Sequence, residues 1–324
     1  MHSKWTYSLL PLAWIIYGIS IIRKKWILAD ALQTFPVPII VVGNLTVGGT
    51  GKTPFVCELV EKLKKRGYKP GVVSRGYKAK KSSATPYAYT GSQTDTAENF
   101  GDEPLLIAHK TNVPVVICTK RPKAVEYLIA HYPEVDIIIS DDGLQHYRLH
   151  RDIEIVLLNR ESENGKSNTF LFPAGPYREP LSRLKEADFV IKNNNQLQKL
   201  KNSLTLLNNP NIIKSLASLN GKTLYAVAGI AHPDRFFKSV KQYNINIIEC
   251  PFSDHYQYNQ SDFEKLLAYS KQYPVLMTEK DAVKFKKWVL SEVENIWVAS
   301  LVTEISDDLI EEIIEKIKVN KIES

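Results

Sequence analysis

The sequence predicts an α/β protein of two Rossmann-like or P-loop α/β/α units with parallel sheets, preceded by an N-terminal helix. Short apolar, β-branched runs alternate with segments of helical apolar spacing, and a glycine-rich turn ending in Lys-Thr follows the first run. The alternation stops in a segment rich in Asn, Lys and Leu and then restarts. The predicted divisions are residues 1–30 for the N-terminal helix, 31–195 for the first unit, 196–220 for a linker and 221–324 for the second unit.

The composition is that of an ordinary globular protein, since 24% of the 324 residues are charged and 44% are apolar. The net charge of +7 is modest and spread along the chain, and it suits a membrane surface or an acidic substrate. A nucleic acid partner is not expected, because the sequence contains no helix-turn-helix, zinc-finger or RNP-like motif. Cys57, Cys118 and Cys250 are odd in number and far apart, which argues against a disulfide framework and fits a reducing compartment.

The N-terminal segment is almost entirely apolar over residues 9–22, and Arg23, Lys24 and Lys25 follow it. Aromatic residues lie before and within this run, at Trp5, Tyr7, Trp14 and Tyr17. The run is shorter than the ~20 residues of a spanning helix. Aromatic and basic residues together favour a helix that lies in the headgroup region of an anionic membrane. A core helix, a single span over residues 5–22 and a signal peptide are the alternatives.

A phosphate-binding loop is predicted where the first strand, residues 35–42, meets the following helix. Phosphate oxygens need several amide N–H donors that point inward, and small residues let the backbone curl tightly before a helix N-terminus. We expect Lys52 to reach the β- and γ-phosphates and the Thr53 hydroxyl to bind Mg²⁺. Thr46 stands where the usual pattern has its first glycine, and a glycine-rich turn without nucleotide is the alternative. The candidate nucleotide-binding residues are Thr46, Val47, Gly48, Gly49, Thr50, Gly51, Lys52 and Thr53.

Polar side chains follow the next predicted strand and precede the next helix. After the strand at residues 69–73, Arg75 and Tyr77 either face a substrate or belong to a surface turn. Asp102 and Glu103 precede the helix at 105–110, and the residues alone favour an N-cap role for one of them, Asp102. A strand is then predicted at residues 112–118, and a helix at 120–131 carries Arg121.

An apolar strand that starts at residue 135 ends in Asp141 and Asp142, which is the form of a Walker B segment whose Asp holds the magnesium shell. A capped turn is the alternative, and His146 alone would more often be structural. Further strands are predicted at residues 153–158 and 187–192, and the rigid loop at 172–180 displays Arg178 and Glu179. Open parallel sheets place their binding crevice at the carboxyl ends of the strands, so these groups should meet there.

The second unit repeats the alternation on a smaller scale. Its predicted strands are residues 224–230, 245–250, 275–278 and 296–301, and its predicted helices are residues 233–243, 261–273 and 307–318. His255 lies in a loop between Asp254 and Tyr256, where it could take part in proton transfer, although a surface histidine is the better interpretation from the residues alone. The segment from Thr278 to Asp281 lacks the guanine-recognition pattern, so nothing points to GTP.

Taken together, these segments resemble the tetraacyldisaccharide 4′-kinase family, whose members phosphorylate the lipid A precursor. The resemblance covers nearly the whole chain, and Thr46 in place of a glycine is part of it. The matching segments are residues 43–44, 46–54, 74–77, 101–104, 140–146, 173–175, 178–180, 228–230 with 233 and 236–237, 254–256, and 278–284.

The resemblance implies two α/β domains joined by a small β linker, with the active site between them. It implies ATP and Mg²⁺, a lipid-linked glucosamine disaccharide 1-phosphate as acceptor, and an N-terminal helix on the cytoplasmic face of the bacterial inner membrane. It also implies that Asp102 is the catalytic base and that His255 pairs with it. We expect a monomer.

The other matched residues receive roles that the resemblance and their chemistry suggest. Lys52 and Arg178 join the catalytic group, and Arg121 or Arg178 could meet the charge of the transition state or of the 1-phosphate. Candidate metal ligands are Thr53, Asp141, Asp142 and Glu103. Candidate substrate-binding residues are Asn44, Arg75, Tyr77, Arg121, Gln145, His146 and Glu179.

Two other functions are compatible with these residues. The first is a membrane-associated P-loop ATPase switch that acts on a protein partner, although Val47 and Gly48 stand where such ATPases carry an additional lysine. The second is a kinase for a soluble metabolite, which would not depend on the N-terminal segment.

Overall fold

The computed structural model describes residues 7–29, 33–158, 169–192, 197–285 and 293–323. In these ranges the chain forms two mostly parallel sheets with helices, which confirms the predicted α/β class. Trp5 in the predicted N-terminal aromatic group and residues 195–196 at the predicted domain boundary lie outside the described residues.

The N-terminal helix α1 (Leu10–Ala29) lies against the first unit along one side. Ala13 is buried, and the ammonium of Lys24 lies 2.7 Å from the Glu186 carboxylate. Other positions of the helix expose large apolar side chains, among them Trp14, which is 65% exposed, and Ile15, which is 60% exposed. Among the helices in the described ranges, none is long and apolar enough to cross a membrane.

The first unit contains a seven-stranded sheet in the order β3-β4-β2-β5-β1-β6-β7, in which only β3 is antiparallel to its neighbour. Its strands are β1 (Ile39–Gly43), β2 (Pro70–Ser74), β3 (Tyr87–Ala88), β4 (Val115–Ile117), β5 (Ile137–Asp141), β6 (Ile153–Leu157) and β7 (Phe189–Ile191). Its helices are α2 (Lys52–Lys65), α3 (Ala97–Phe100), α4 (Asp102–Thr111) and α5 (Arg121–His131).

Both faces of this sheet are buried, which explains why its central strands are continuous apolar runs. Ile40 and Val42 of β1 pack in a core with Phe55 of α2, whereas Ile39 packs on the other face with Leu128 of α5. The parallel registers bring the strand ends to one edge of the sheet; Val42, for example, pairs with Asp141. This edge carries the polar groups that the sequence analysis singled out.

The second unit contains a six-stranded sheet in the order β11-β10-β12-β13-β8-β9. Its strands are β8 (Gln198–Leu206), β9 (Asn209–Ser215), β10 (Thr223–Ala228), β11 (Asn246–Pro251), β12 (Val275–Thr278) and β13 (Ile296–Thr303). Its helices are α6 (Pro233–Lys241), α7 (Gln260–Ser270) and α8 (Glu279–Ala282).

The segment predicted as a linker is a hairpin of β8 and β9 that joins the edge of the second sheet. β8 pairs antiparallel with β13, and Leu204 and Leu206 contribute to the core of that unit. The alternating apolar residues of β8 bury one face, so the hairpin extends the sheet while it connects the units.

The closing helix α9 (Asp307–Glu323), which the sequence analysis assigned to the second unit, packs on the first. Ile310 and Ile313 share a core with Phe55 of α2, and Asp307 accepts a 2.8 Å hydrogen bond from the Lys62 ammonium. Its apolar stripe predicts a buried face but not the partner, because either sheet could have covered it.

Candidate active site

The two units face each other across a cleft with a volume of about 1780 Å³. The carboxyl edge of the first sheet lines one wall, and loops of the second unit line the other. One end is bordered by Ile19, Ile22 and Trp26 of α1. The cleft therefore joins a polar floor to an apolar rim.

The glycine-rich loop between β1 and α2 forms the floor. Gly48 and Gly51 have φ angles of 104° and 74°, a region that favours glycine. The loop ends at Lys52, the first residue of α2, so its backbone amides adjoin a helix N-terminus. The second unit covers this loop closely, because a Cβ atom on Gly49 would lie 3.1 Å from the Ala231 Cβ.

Lys52 is held over the loop by two oxygens. Its ammonium donates to Asn44 Oδ1 at 3.0 Å and lies 3.3 Å from Asp142 Oδ1. Asn44 is fully buried and donates through Nδ2 to the Thr46 carbonyl at 2.8 Å. Asn44 and Thr46 are not at the cleft surface, so they support the lysine and the loop from behind.

Asp141, the last residue of β5, carries a carboxylate with an uncompensated oxygen. The side chain is buried, and Oδ1 has no hydrogen-bond partner among the described residues, while Ser74 donates to Oδ2 at 3.4 Å. Burial, together with the charges of Glu103 and Asp142, raises the pKa of Asp141 to about 7. An orphaned carboxylate oxygen in the same cleft as the Thr53 hydroxyl fits Mg²⁺, which prefers hard oxygen ligands.

The other two candidate metal ligands have cationic partners. Lys52 and Arg178 flank Asp142, and burial opposes but does not cancel their effect, so the pKa of Asp142 is lowered. Glu103 accepts a 3.0 Å hydrogen bond from the Lys280 ammonium. Asp141 and Thr53 therefore remain the residues best suited to hold a metal. Among the described residues, no group of three or more His, Cys, Asp or Glu side chains is arranged to hold a metal ion.

Replacing Asp141 with asparagine should raise the thermal stability of the metal-free protein at pH 8. The pKa is about 7 in the folded chain and 3.8 in an ordinary aspartate, so between these values the unfolded chain has lost a proton that the folded chain keeps. The free energy of unfolding therefore falls as the pH rises through this window. Above the window, the full destabilisation by the buried, ionised Asp141 is present.

Thermal unfolding at pH 4 and pH 8 measures this effect. Asp141→Asn should be more stable than wild type at pH 8 and nearly as stable as wild type at pH 4. Added Mg²⁺ should stabilise wild type but not Asp141→Asn. An equal gain at both pH values would contradict the assignment. Asp152→Asn is a suitable control, because Asp152 accepts a 2.7 Å hydrogen bond from the Ile39 amide away from the cleft.

Asp102 and His255 meet across the cleft. The His255 Nδ1 atom lies 2.9 Å from Asp102 Oδ2, although 153 residues separate the two in sequence. Burial would raise the pKa of Asp102, but the hydrogen bond from His255 and the charges of Lys284 and Lys280 lower it overall. The Tyr77 ring contacts the imidazole edge-on, with ring centroids 5.3 Å apart. A buried ionised carboxylate paired with an imidazole can accept a proton from a substrate.

The N-cap role considered for Asp102 is wrong. Gly101, with a φ of 93°, is the N-cap of α4, and Asp102 is the first helical residue. Its side chain is thereby directed to His255 instead of to the helix amides. His255 also has a positive φ, 58°, an uncommon backbone conformation for a residue of this type.

Arg178 and Gln145 form a second polar wall, with Glu179 behind them. Arg178 Nη1 lies 3.5 Å from Asp142 Oδ2 and 3.4 Å from Gln145 Oε1. Gln145 Nε2 in turn donates to Glu179 Oε1 at 3.0 Å. Glu179 does not line the cleft, so it orients Gln145 from behind.

Arg121 lines the cleft, although its side chain is almost fully buried. It donates to the Cys118 carbonyl at 2.8 Å and to the Asp141 carbonyl at 3.0 Å, and burial lowers its pKa to about 10. Burial and the charges of Arg121 and Arg75 lower the pKa of His146 to about 4, which keeps that imidazole neutral near pH 7. Arg75 and Tyr77 are exposed on the cleft wall, in reach of a substrate.

Gln198 and Lys280 are cleft residues to which the sequence assigned no site role, and both contact predicted site residues. Gln198, the first residue of β8, places its amide against the loop; Nε2 lies 3.3 Å from the Gly51 carbonyl, in the space that a Cβ on Gly51 would need. It falls in the segment predicted as a linker, so no local signal marked it. Lys280 contacts Glu103 and His255, and it lies in residues 278–284, a segment that resembles the family but carried no predicted site residue.

Comparisons with known proteins agree over almost the full length. Residues 5–318 match the family described as tetraacyldisaccharide-1-P 4′-kinase. A protein named tetraacyldisaccharide 4′-kinase from Methylobacillus flagellatus is 39% identical over 98% of this chain and 93% of its own length. One of the same name from Legionella pneumophila (strain Corby) is 44% identical over 86% of this chain and 84% of its own length.

One solved structure is similar across both units. It is described as the "apo" form of LpxK from Aquifex aeolicus in complex with ATP, at 2.2 Å resolution. The similarity has a TM-score of 0.79 at 28% sequence identity, and it covers 97% of this chain and 100% of the other.

Proposed function

This chain belongs to the tetraacyldisaccharide-1-P 4′-kinase family, and we propose that it uses ATP to phosphorylate the 4′-hydroxyl of a tetraacyl glucosamine disaccharide 1-phosphate, a lipid A precursor. The observation that carries this proposal is the 2.9 Å contact between Asp102 and His255, in the same cleft as the glycine-rich loop and Lys52. A proton acceptor in the same cleft as a phosphate cradle suits transfer to an alcohol, because the hydroxyl proton must be taken up as its oxygen attacks the phosphorus.

The reaction follows from these positions. The loop amides and Lys52 bind the triphosphate and neutralise its charge. Asp102 accepts the proton of the sugar 4′-hydroxyl as that oxygen attacks the γ-phosphorus, and the bond to the leaving ADP oxygen breaks. His255 orients the carboxylate through the bond at Oδ2. Arg178 faces Asp142 beside Lys52, so it adds positive charge near the transferred group.

Mg²⁺ is the metal ion that this donor set fits, and Thr53 with Asp141 would hold it. When bound, the ion neutralises charge that develops on the phosphate oxygens. The uncompensated Oδ1 of Asp141 supports this assignment, since an isolated buried carboxylate oxygen is otherwise costly.

The apolar rim of the cleft suits an amphiphilic acceptor. Ile19, Ile22 and Trp26 project from α1 toward the cleft, while Trp14 and Ile15 are exposed on the same helix. Arg23 and Lys25 are exposed nearby. We propose that α1 lies in the headgroup region on the cytoplasmic face of a bacterial inner membrane, where the lipid acceptor is held.

Replacing Trp14 and Ile15 together with serine should weaken binding to anionic vesicles by about tenfold or more, because each buried apolar side chain contributes roughly 1.5–3 kcal/mol. Cosedimentation with phosphatidylglycerol vesicles measures the change. The control is Ile212→Ser with Ile213→Ser, since these side chains are 46% and 65% exposed on the edge strand β9. An equal loss of vesicle binding in both double variants would contradict the proposed orientation of α1.

The proposed activity is tested with purified protein, ATP, Mg²⁺ and the tetraacyl disaccharide 1-phosphate in detergent micelles. We expect a bisphosphorylated lipid that carries the new phosphate on the 4′-oxygen, identified by mass spectrometry and ³¹P NMR. ATP binding without any lipid product would overturn the proposal. ATP hydrolysis that a protein partner stimulates, again without lipid product, would favour the switch considered above.

A further inference from the structure

Lys280 lies where the two units bring Asp102 and His255 together. Its Nζ atom is 3.0 Å from Glu103 Oε1, 3.3 Å from Asp254 Oδ1 and 3.4 Å from His255 Nε2. Glu103 follows Asp102 in the chain, and Asp254 precedes His255. The ammonium therefore contacts both chain neighbours of the pair and the imidazole itself.

The contact with Nε2 constrains the imidazole. An ammonium has three donors and no acceptor, so a hydrogen bond to Nε2 requires that this nitrogen carry its lone pair and no proton. Nδ1 then bears the proton and donates it to Asp102 Oδ2 at 2.9 Å. The competing acceptor, Asp254 Oδ2, lies 3.8 Å from Nε2, which is beyond hydrogen-bond distance.

We propose that Lys280 is a positioning residue that keeps His255 in the neutral form protonated at Nδ1, so that the imidazole donates its one N–H to Asp102. Lys280 is suited to this because its side chain is only 18% exposed. Burial would lower its pKa, but Glu103, Asp254 and Asp102 raise it above the ordinary value, so the donor stays charged.

The consequence for the reaction rests on the proposed function. With the proton on Nδ1, the imidazole occupies Oδ2 of Asp102 and leaves the other carboxylate oxygen for the sugar hydroxyl. With the proton on Nε2, the lone pair of Nδ1 would face the carboxylate, and the hydrogen bond from the imidazole to Asp102 would be lost. Lys280 thus acts on the base through His255 and touches no reacting atom.

The tautomer can be read directly by ¹⁵N NMR of the full-length protein labelled at histidine, without lipid or nucleotide. The His255 signals are assigned by their loss in His255→Gln. In wild type and in Lys280→Arg we expect a protonated Nδ1 and an unprotonated Nε2. In Lys280→Met we expect a substantial fraction protonated at Nε2.

Lys110→Met is the matched control, because Lys110 joins the two units through a 2.9 Å ion pair with Glu279 but does not contact the imidazole. It should leave the His255 signals as in wild type. A wild-type imidazole protonated at Nε2, or the same spectral change in Lys110→Met and Lys280→Met, would overturn the proposal.

Kinetics supply the second readout. Lys280→Met should lower kcat by about tenfold to a hundredfold, as losses of orienting partners do, while the KM for ATP stays within about twofold of wild type, and Lys280→Arg should recover most of the rate. A raised KM for ATP with an unchanged tautomer would assign Lys280 to the nucleotide and overturn the inference. If wild type shows the expected spectrum but phosphorylates no lipid, the proposed function fails and the tautomer assignment stands.

Discussion

Replacing Asp102 with asparagine is expected to lower kcat by roughly 10²–10⁴-fold, the usual contribution of a positioned general base. The amide keeps the size of the side chain but cannot take a proton from the sugar hydroxyl. Asp102 shares the cleft with the glycine-rich loop, but its carboxylate pairs with His255 and is proposed to act on the sugar hydroxyl, so the KM for ATP should change little. Steady-state rates of lipid phosphorylation at varied ATP concentrations separate these two constants.

Asp95→Asn is a suitable control for this variant. Asp95 is also a buried aspartate of the first unit, and it accepts hydrogen bonds from the Tyr87 hydroxyl and the Thr90 amide. Its loss should reduce thermal stability and leave turnover near that of wild type. A normal kcat in Asp102→Asn would remove Asp102 as the base.

Replacing Lys52 with methionine should lower kcat by about 10²–10³-fold, because the variant lacks the preorganised ammonium that faces the transferred phosphate. The ATP affinity should fall as well, since the same ammonium faces the triphosphate in the ground state. Calorimetric titration with ATP and single-turnover phosphorylation measure the two effects. Asn44 and Asp142 would also lose the partner that now lies 3.0 Å and 3.3 Å from their oxygens.

Lys62→Met provides the matched comparison on the same helix. Lys62 makes a 2.8 Å ion pair with Asp307 of α9 and is far from the loop in the helix. Exposed pairs of this kind contribute about 0–1 kcal/mol, so only a small loss of stability is expected. Retained ATP affinity and turnover in Lys52→Met would contradict the assignment of the phosphate cradle.

Local patterns predicted much of the fold. The apolar runs of β1 and β5 and the glycine-rich turn before α2 each specify their own backbone, because strand, loop and helix are short-range features. The strand ends then place Lys52 and Asp141 at one edge, since parallel registers leave little choice. For this reason the common position of the glycine-rich loop, Lys52 and Asp141 in the cleft could be predicted from the residues themselves.

The other half depends on contacts between distant parts of the chain. Nothing near His255 in sequence indicates that Asp102 is its partner, and only the resemblance to a known family suggested the pair. Gln198 and Lys280 contact the site through the approach of the second unit, which no local pattern encodes. The same applies to α9, whose apolar stripe fits more than one surface.

Asp102 and His255 are proposed to act as one unit on the sugar hydroxyl. The most direct measurement is a double-mutant cycle with Asp102→Asn, His255→Gln and the double variant, in single-turnover lipid phosphorylation at saturating ATP. If the pair is one unit, the double variant should be about as slow as Asp102→Asn alone, because His255 has no base left to orient. Rate losses that multiply in the double variant would show that the two residues act independently, and they would contradict a role of His255 in orienting Asp102.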